Sequence, residues 1–208
     1  MNVMLVGFGK INKIIYDLIS KEIVGIYSFD YDFLIDKPDI IIDFSSHDLI
    51  SYSLDVSIKY NIPLIIGTTG YNNEEMALIS EKSKIIPILK CSNFSPGINY
   101  ILKILKDPFL NEYESKIIET HHKFKTDIPS GSALDLSVVL NCKNIESIRD
   151  KDKLGIHEII LFNENEKISI KHEVLNRNIF AEKVIEVSRW FINKKPGLYS
   201  YEDYINDR

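Results

Sequence analysis

Glycine is scarce in this chain. Nine stand among 208 residues, about 4% where roughly 7% is usual. Isoleucine occurs 36 times, so positions that tolerate a side chain carry bulk. A glycine that remains is expected where a Cβ would clash. Arginine is scarcer still, four against 21 lysines, which leaves few planar forks for phosphate or carboxylate. Positive charge is not in excess. The net charge is −5 and the pI about 5.6, whereas a domain that grips nucleic acid usually carries a basic face. A nucleic-acid partner is therefore not expected. The two cysteines, Cys91 and Cys142, are far apart and lack a CxxC partner. They read as reduced thiols of a cytoplasmic protein. No apolar run approaches the ~18 residues of a membrane span, and the N-terminus lacks the charged and long apolar regions of a signal peptide. What is present is ordinary globular usage, 45% hydrophobic and 26% charged, which excludes a disordered, collagen-like or solely coiled-coil chain.

Residues 2–6 (NVMLV), 22–27, 39–44, 62–66 and 85–91 are short, continuously apolar strands. Helical spacing separates them at 11–21, 48–60 and 73–83. In 48–60, Leu49, Leu54, Val56 and Ile58 are the residues available for burial. This alternation predicts an α/β fold with a parallel, Rossmann-like sheet over residues 1–94. A helix over 97–106 follows. The texture then changes to separated strands (KIIET, EIILF, KISIKHEV) with polar punctuation. That predicts a smaller α+β domain over 95–179, and a last helical pattern over 179–193.

Gly7-Phe8-Gly9 lies between the first strand and a helix. In a dinucleotide fold the first glycine permits the turn and the second lets a pyrophosphate approach. The helix N-terminus supplies amides and its positive end. Asn12 stands where a third glycine usually sits. The alternative is a plain tight turn. An acidic ribose partner is expected after the second strand. Ser28 holds that place, and Asp30 two residues on is either the partner or a solvated turn residue. No arginine stands nearby for a 2′-phosphate, so NADH and NADPH both remain open. Later strands end in Asp43-Phe44-Ser45-Ser46, Gly67-Thr68-Thr69-Gly70-Tyr71 and Cys91-Ser92-Asn93-Phe94-Ser95. All fall at the ligand edge of such a sheet. Their small hydroxyl residues suit a ribose or nicotinamide, and equally suit helix N-caps.

In the second domain, Glu119-Thr120-His121-His122-Lys123-Phe124-Lys125-Thr126-Asp127-Ile128-Pro129-Ser130-Gly131-Ser132-Ala133 concentrates protonatable groups in an acidic chain. Apolar residues follow, so a helix starts near Ser130. Ser130 suits the N-cap, and the amides of Gly131 and Ser132 form an anion site there. A carboxylate bound there could meet His122 and Lys125, and a histidine can exchange a proton near neutral pH. His121-His122 lacks a third ligand at helical or hairpin spacing, so no metal is expected.

This stretch resembles the E-x-HH-x-x-K-x-D-x-PSG-T-A signature of the 4-hydroxy-tetrahydrodipicolinate reductase (DapB-type) family. The resemblance runs in order along the chain: DFSS at 43–46, GTTG at 67–70, SNFSPGIN at 92–99, Ser147-Ile148-Arg149, Gly155-Ile156-His157-Glu158 and Pro196-Gly197-Leu198-Tyr199. It implies NADPH- or NADH-dependent reduction of a cyclic dicarboxylate, 4-hydroxy-tetrahydrodipicolinate, with loss of water, in the diaminopimelate route to lysine. It implies His121 as proton donor and acceptor and Lys125 as second proton donor. His122, Gly131 and Ser132 are implied to hold substrate carboxylate. Implied cofactor contacts are Gly7, Phe8, Gly9, Lys10, Ile11 and Asn12, with Gly67, Thr68, Thr69, Cys91, Ser92, Asn93 and Phe94. A homotetramer joined through the second domain's sheet is implied, with the C-terminal residues 180–208 returning to the first domain. Ser132 replaces the family's usual threonine, Arg149-Asp150-Lys151 replaces its Arg-Gly-Gly, and the chain is shortened after the second strand and after residue 140. The alternatives are an inactive family member or another two-domain amino-acid dehydrogenase.

Overall fold

The structure, a computed structural model, describes residues 1–151 and 153–208. It divides into two compact units, Met1–Phe94 with Asn178–Arg208, and Ser95–Arg177.

The first unit begins with β1 (Val3–Val6), whose four residues are all buried. A run that is apolar at every position is what a strand covered on both faces requires. Then come α1 (Lys10–Ile19), β2 (Ile23–Tyr27), β3 (Asp32–Leu34), β4 (Ile40–Asp43), α2 (Ile50–Tyr60), β5 (Leu64–Ile66), α3 (Asn73–Lys82) and β6 (Pro87–Lys90). The buried face of α2 is Ile50, Ser53, Leu54 and Ser57, one stripe at helical spacing. Leu49, Val56 and Ile58 are only partly buried, which corrects the expectation from hydrophobicity alone. The two serines take that face because each has a hydroxyl partner within reach, Asp43 Oδ2 for Ser53 and the Ile62 carbonyl for Ser57. A capping box between Asn72 and Glu75 starts α3.

The second unit contains α4 (Pro96–Ile104), β7 (Glu114–His121), α5 (Gly131–Leu140), β8 (Ile145–Arg149), β9 (Ile156–Phe162) and β10 (Lys167–Glu173). Its sheet runs β10-β9-β7-β8. β7 pairs parallel with β8 and antiparallel with β9. The core gathers Ile117, Ile159 and Leu161 from the sheet with Ile98, Ile101, Ala133 and Leu136 from α4 and α5.

The chain then returns to the first unit as α6 (Asn178–Phe191), β11 (Gly197–Tyr199) and α7 (Tyr201–Asn206). The completed sheet is β11-β6-β5-β4-β1-β2-β3. β3 alone runs antiparallel, against β2. One core joins Val3, Leu5, Ile40 and Ile42 to Ile15 of α1 and Val184 of α6. The other joins Met4, Val6 and Ile41 to Leu54 of α2 and Ile79 of α3. Helices thus cover both faces, and the strand order reverses between β1 and β4. That reversal is where a doubly wound sheet binds its ligand. Among the described residues no helix is long and apolar enough to cross a membrane.

Candidate active site

At the reversal point, the loops after β1, β4 and β5 enclose a cleft of about 400 Å³ lined by Lys10, Ile11, Phe44–His47 and Gly67–Thr69. Gly7 opens the first loop at φ +80°. A Cβ there would lie 2.7 Å from the Phe44 carbonyl oxygen and 2.7 Å from Ser45 Cα. Gly9 is the N-cap of α1, and a Cβ on it would meet nothing within 4 Å. The first turn of α1 carries no acidic residue and no side-chain cap. Its amides and positive end are therefore open to an anion.

Asn12 fills the third-glycine place. It is fully buried, and its Nδ2 donates to the carbonyls of Val6 and Gly7 at 2.9 and 2.8 Å. The side chain ties the helix to the turn that a glycine would merely have allowed to approach. The chain therefore keeps the tight turn by another device.

Asp43, which hydropathy marks only as the end of a strand, organises the rest of the cleft. Its Oδ1 accepts from the Ser45 hydroxyl at 2.6 Å, the Ser45 amide at 2.9 Å and the Thr68 hydroxyl at 3.1 Å. Its Oδ2 accepts from Ser53 at 2.6 Å. Burial pushes this carboxyl up from its ordinary range, against those four donors. Ser45 and Thr68 thus face inward to Asp43 as well as lining the cleft. Cys91 Sγ donates to the Asn93 carbonyl at 2.9 Å, and the ring of Phe94 lies 5.8 Å from that of Phe44. Asp30 is exposed, and Ser28 accepts the Tyr31 amide in a tight turn.

The second cluster lies in the other unit and follows from strand alternation. On β7, Ile117, Glu119 and His121 share the covered face. Register places Ser147 across from Glu119 on β8, and Arg149 across from His121. On the other side His157 of β9 pairs with Glu119, and His172 of β10 pairs with His157. One end of the sheet's covered face is thus polar where the remainder is aliphatic. His121 Nδ1 hydrogen-bonds to Glu119 Oε2. Arg149 Nη1 donates to Glu119 Oε1 at 2.9 Å. Burial opposes charge on Glu119, but hydrogen bonds from His121, Ser147 and Arg149 outweigh it and hold its carboxyl down to about 2. The His157 ring stands edge-on to His121, centroids 5.2 Å apart.

The loop after β7 carries the other predicted groups. Lys125 Nζ lies 2.8 Å from Asp127 Oδ2. Arg149 reaches this loop too, donating to the Asp127 carbonyl at 2.8 Å and to the Lys125 carbonyl at 3.4 Å. Ser130 caps α5 by accepting the Ala133 amide at 3.3 Å. The Gly131 amide donates to the Asp127 carboxylate. Asp127 therefore sits where an anion meets both the helix start and Lys125, and these contacts hold its carboxyl low despite partial burial. Ser132 is buried in the first turn. His122 opens the loop, its carbonyl accepting the Lys125 amide at 3.0 Å.

His157 and Arg149 escape a reading by sequence spacing, because only strand register brings them to Glu119 and His121, and His172 lies beyond them beside His157. Glu119, His121 and His157 offer donor atoms within 4.8 Å of one another, a set zinc can use. In the structure the two oxygens of Glu119 accept hydrogen bonds from Arg149 and His121.

Burial holds the His157 imidazole at about 3 instead of 6.5. Between those pH values the unfolded chain binds a proton that the folded one refuses, so stability falls as pH drops from 6.5 towards 3. The slope is about 1.4 kcal/mol per pH unit for one group. Glu119 adds to this at lower pH, its stabilisation being lost from 4.5 down to about 2. Replacing His157 by Gln should flatten the upper part of this decline. Urea midpoints at a series of pH values check it, and an unchanged slope would refute the neutral, buried imidazole.

The family model described as "Dihydrodipicolinate reductase, N-terminus" matches residues 15–94, and "Dihydrodipicolinate reductase, C-terminus" matches 97–205. Proteins named 4-hydroxy-tetrahydrodipicolinate reductase are similar over nearly the whole chain. That of Brachyspira hyodysenteriae is 36% identical over 99% of this chain and 100% of its own. That of Thermosipho africanus is 35% identical over 98% and 97%. Among solved structures, a dipicolinate-bound dihydrodipicolinate reductase from Paenisporosarcina sp. superposes with a TM-score of 0.70, at 18% identity over 96% and 97% of the chains. An aspartate dehydrogenase from Thermotoga maritima superposes with 0.57, at 13% identity over 94% and 97%, a likeness of fold. The extent of the sequence matches, which span both units, decides the assignment: this chain belongs to the dihydrodipicolinate reductase family.

Proposed function

We propose that this chain reduces 4-hydroxy-tetrahydrodipicolinate to tetrahydrodipicolinate, with loss of water, in the diaminopimelate route to lysine. The observation that carries the reading is the meeting of His121, Glu119 and Arg149 beside a loop in which Lys125 and the start of α5 both already hold a carboxylate, that of Asp127. A dicarboxylate substrate is the natural replacement for Asp127 there, with His122, Gly131 and Ser132 as its further contacts. His121 exchanges a proton with the reacting centre, and Lys125 supplies a second.

The cleft at the Gly7 turn fits a nicotinamide dinucleotide. Gly9 leaves room for a pyrophosphate against open amides, and Lys10 and the 67–69 loop border it. NADH or NADPH bound there supplies the hydride. Either is compatible with a second strand followed by a serine turn and an exposed Asp30. The intact His121 and Lys125 speak against an inactive relative, and His-His-x-x-Lys followed by Pro-Ser-Gly speaks against an amino-acid dehydrogenase. Both cysteines are buried thiols that donate to backbone carbonyls, in keeping with a reducing cytoplasm. A homotetramer is supported by the outer face of the second unit's sheet, where alternation sets Ile118, Ile156 and Ile160 and where Ile148 is exposed.

Purified protein given freshly generated condensation product should oxidise NADH or NADPH in a substrate-dependent way. The same preparation should scatter light as a tetramer. Dinucleotide oxidation indifferent to substrate would refute the reductase reading. Side-by-side affinities settle the cofactor.

A further inference from the structure

We infer that Glu119, clamped by Arg149, is the positioning residue of the acid/base site: it holds His121 by Nδ1 and leaves Nε2 as the atom that exchanges the proton. Three observations carry this. Glu119 is fully buried, yet each of its oxygens has a partner, His121 Nδ1 on one and Arg149 on the other. A carboxylate accepts and does not donate, so the ring nitrogen facing it must carry its hydrogen. That selects one tautomer of the neutral imidazole and leaves the lone pair on Nε2.

The second observation concerns space. A Cβ on Gly155 would lie 3.1 Å from His121 Nε2 and 3.4 Å from Cδ2. Gly155 therefore keeps the Nε2 edge of the ring clear, which gives a role to a glycine that no turn geometry requires. The third is the reach of one guanidinium. Arg149 binds the Glu119 carboxylate and also the Asp127 and Lys125 carbonyls. It thereby ties the ring of His121 to the loop that carries the second proton donor. The other titratable groups beside His121 are His157 of β9, held neutral by burial, and Arg149, across from it in register on β8. Glu119 is the anion in contact with the ring.

The inference rests on the reductase reading for its kinetic consequence but not for its spectroscopic one. Nitrogen NMR of labelled histidine, with the His121 signals assigned by their absence in His121→Gln, should show the Nδ1–H tautomer in the parent at high pH. In Glu119→Gln the signal should shift towards the Nε2–H form. kcat should fall on the order of 100-fold, with the dinucleotide affinity unchanged and KM within about twofold. Glu119→Asp keeps the charge and should retain the parent tautomer. An Nε2–H tautomer in the parent overturns the inference without any variant, so a Glu119→Gln chain that fails to fold does not shield it. A parent tautomer that persists in folded Glu119→Gln also overturns it. The predicted tautomer in a parent that turns over no substrate would leave the positioning intact and remove the reductase reading instead.

Discussion

His121→Gln is expected to lose at least 100-fold in substrate-dependent oxidation of NADH or NADPH while binding either dinucleotide as the parent does. Proton transfer by a placed side chain contributes about 10²- to 10⁴-fold, and an amide cannot exchange a proton near neutral pH. Glutamine roughly matches the length of the imidazole, so the covered face of the sheet stays filled. Glu119 keeps Arg149 at 2.9 Å, so its charge is not left alone. The stability loss should stay near the roughly 1 kcal/mol of an exchanged hydrogen bond. The lining of the dinucleotide cleft comes wholly from residues of the first unit, which is why binding serves as the control. Steady-state rates and dinucleotide titrations on one preparation make the comparison. Unchanged turnover would show that His121 is not the acid/base group.

The second large effect is a contrast between two glycines two residues apart. Gly7→Ala should lower stability by about 2 kcal/mol or more and weaken NADH and NADPH binding at least tenfold. Its Cβ would press within 2.7 Å of backbone atoms of residues 44 and 45, at φ +80°. Backbone cannot rotate away, and the left-handed conformation alone costs an L-residue roughly 1–2 kcal/mol. The Phe44–Ser45 loop it displaces lines the same cleft. Gly9→Ala should leave stability nearly unchanged, because φ is −77° and its Cβ meets nothing within 4 Å. It should still weaken dinucleotide binding, because the methyl group occupies the approach of the pyrophosphate. Thermal midpoints and dinucleotide dissociation constants for the two variants decide the matter. A Gly9→Ala protein that binds like the parent would place the pyrophosphate elsewhere.

Much of this molecule is legible along the chain. The buried strands β1, β4, β5 and β6 are runs of isoleucine, leucine and valine, and a strand covered on both faces carries no other pattern. The helix entry at Ser130 and the turn at Gly7 follow from local chemistry of caps and left-handed glycine. Three strands were not legible. β3 and β11 are three residues each, too short for any period to declare itself. β8 (IESIR) carries half-buried and exposed residues in alternation, and at five residues it reads as readily as a loop. The buried serines of α2 were missed for a different reason. Hydropathy ranks Val56 and Ile58 above Ser53 and Ser57, while the helix turns the serines towards Asp43 Oδ2 and the Ile62 carbonyl. Asn12 is the same lesson at the cofactor turn, a polar residue buried because two carbonyls wait for it.

By itself, then, the sequence determined the alternation of strands and helices, the place where it ends, the two glycine turns and the segment that runs from His121 through Lys125 to the start of α5. Each of these depends on residues within a few positions of one another, where periodicity and capping operate. The tertiary structure decided which groups surround His121. Glu119, Arg149, Gly155 and His157 come from β7, β8, the approach to β9 and β9 itself. They meet because the hydrogen-bond register of a mixed sheet sets Ser147 and His157 on either side of Glu119, and Arg149 beside His121. Register depends on pairing between strands separated by whole loops and a helix, and no local pattern encodes it.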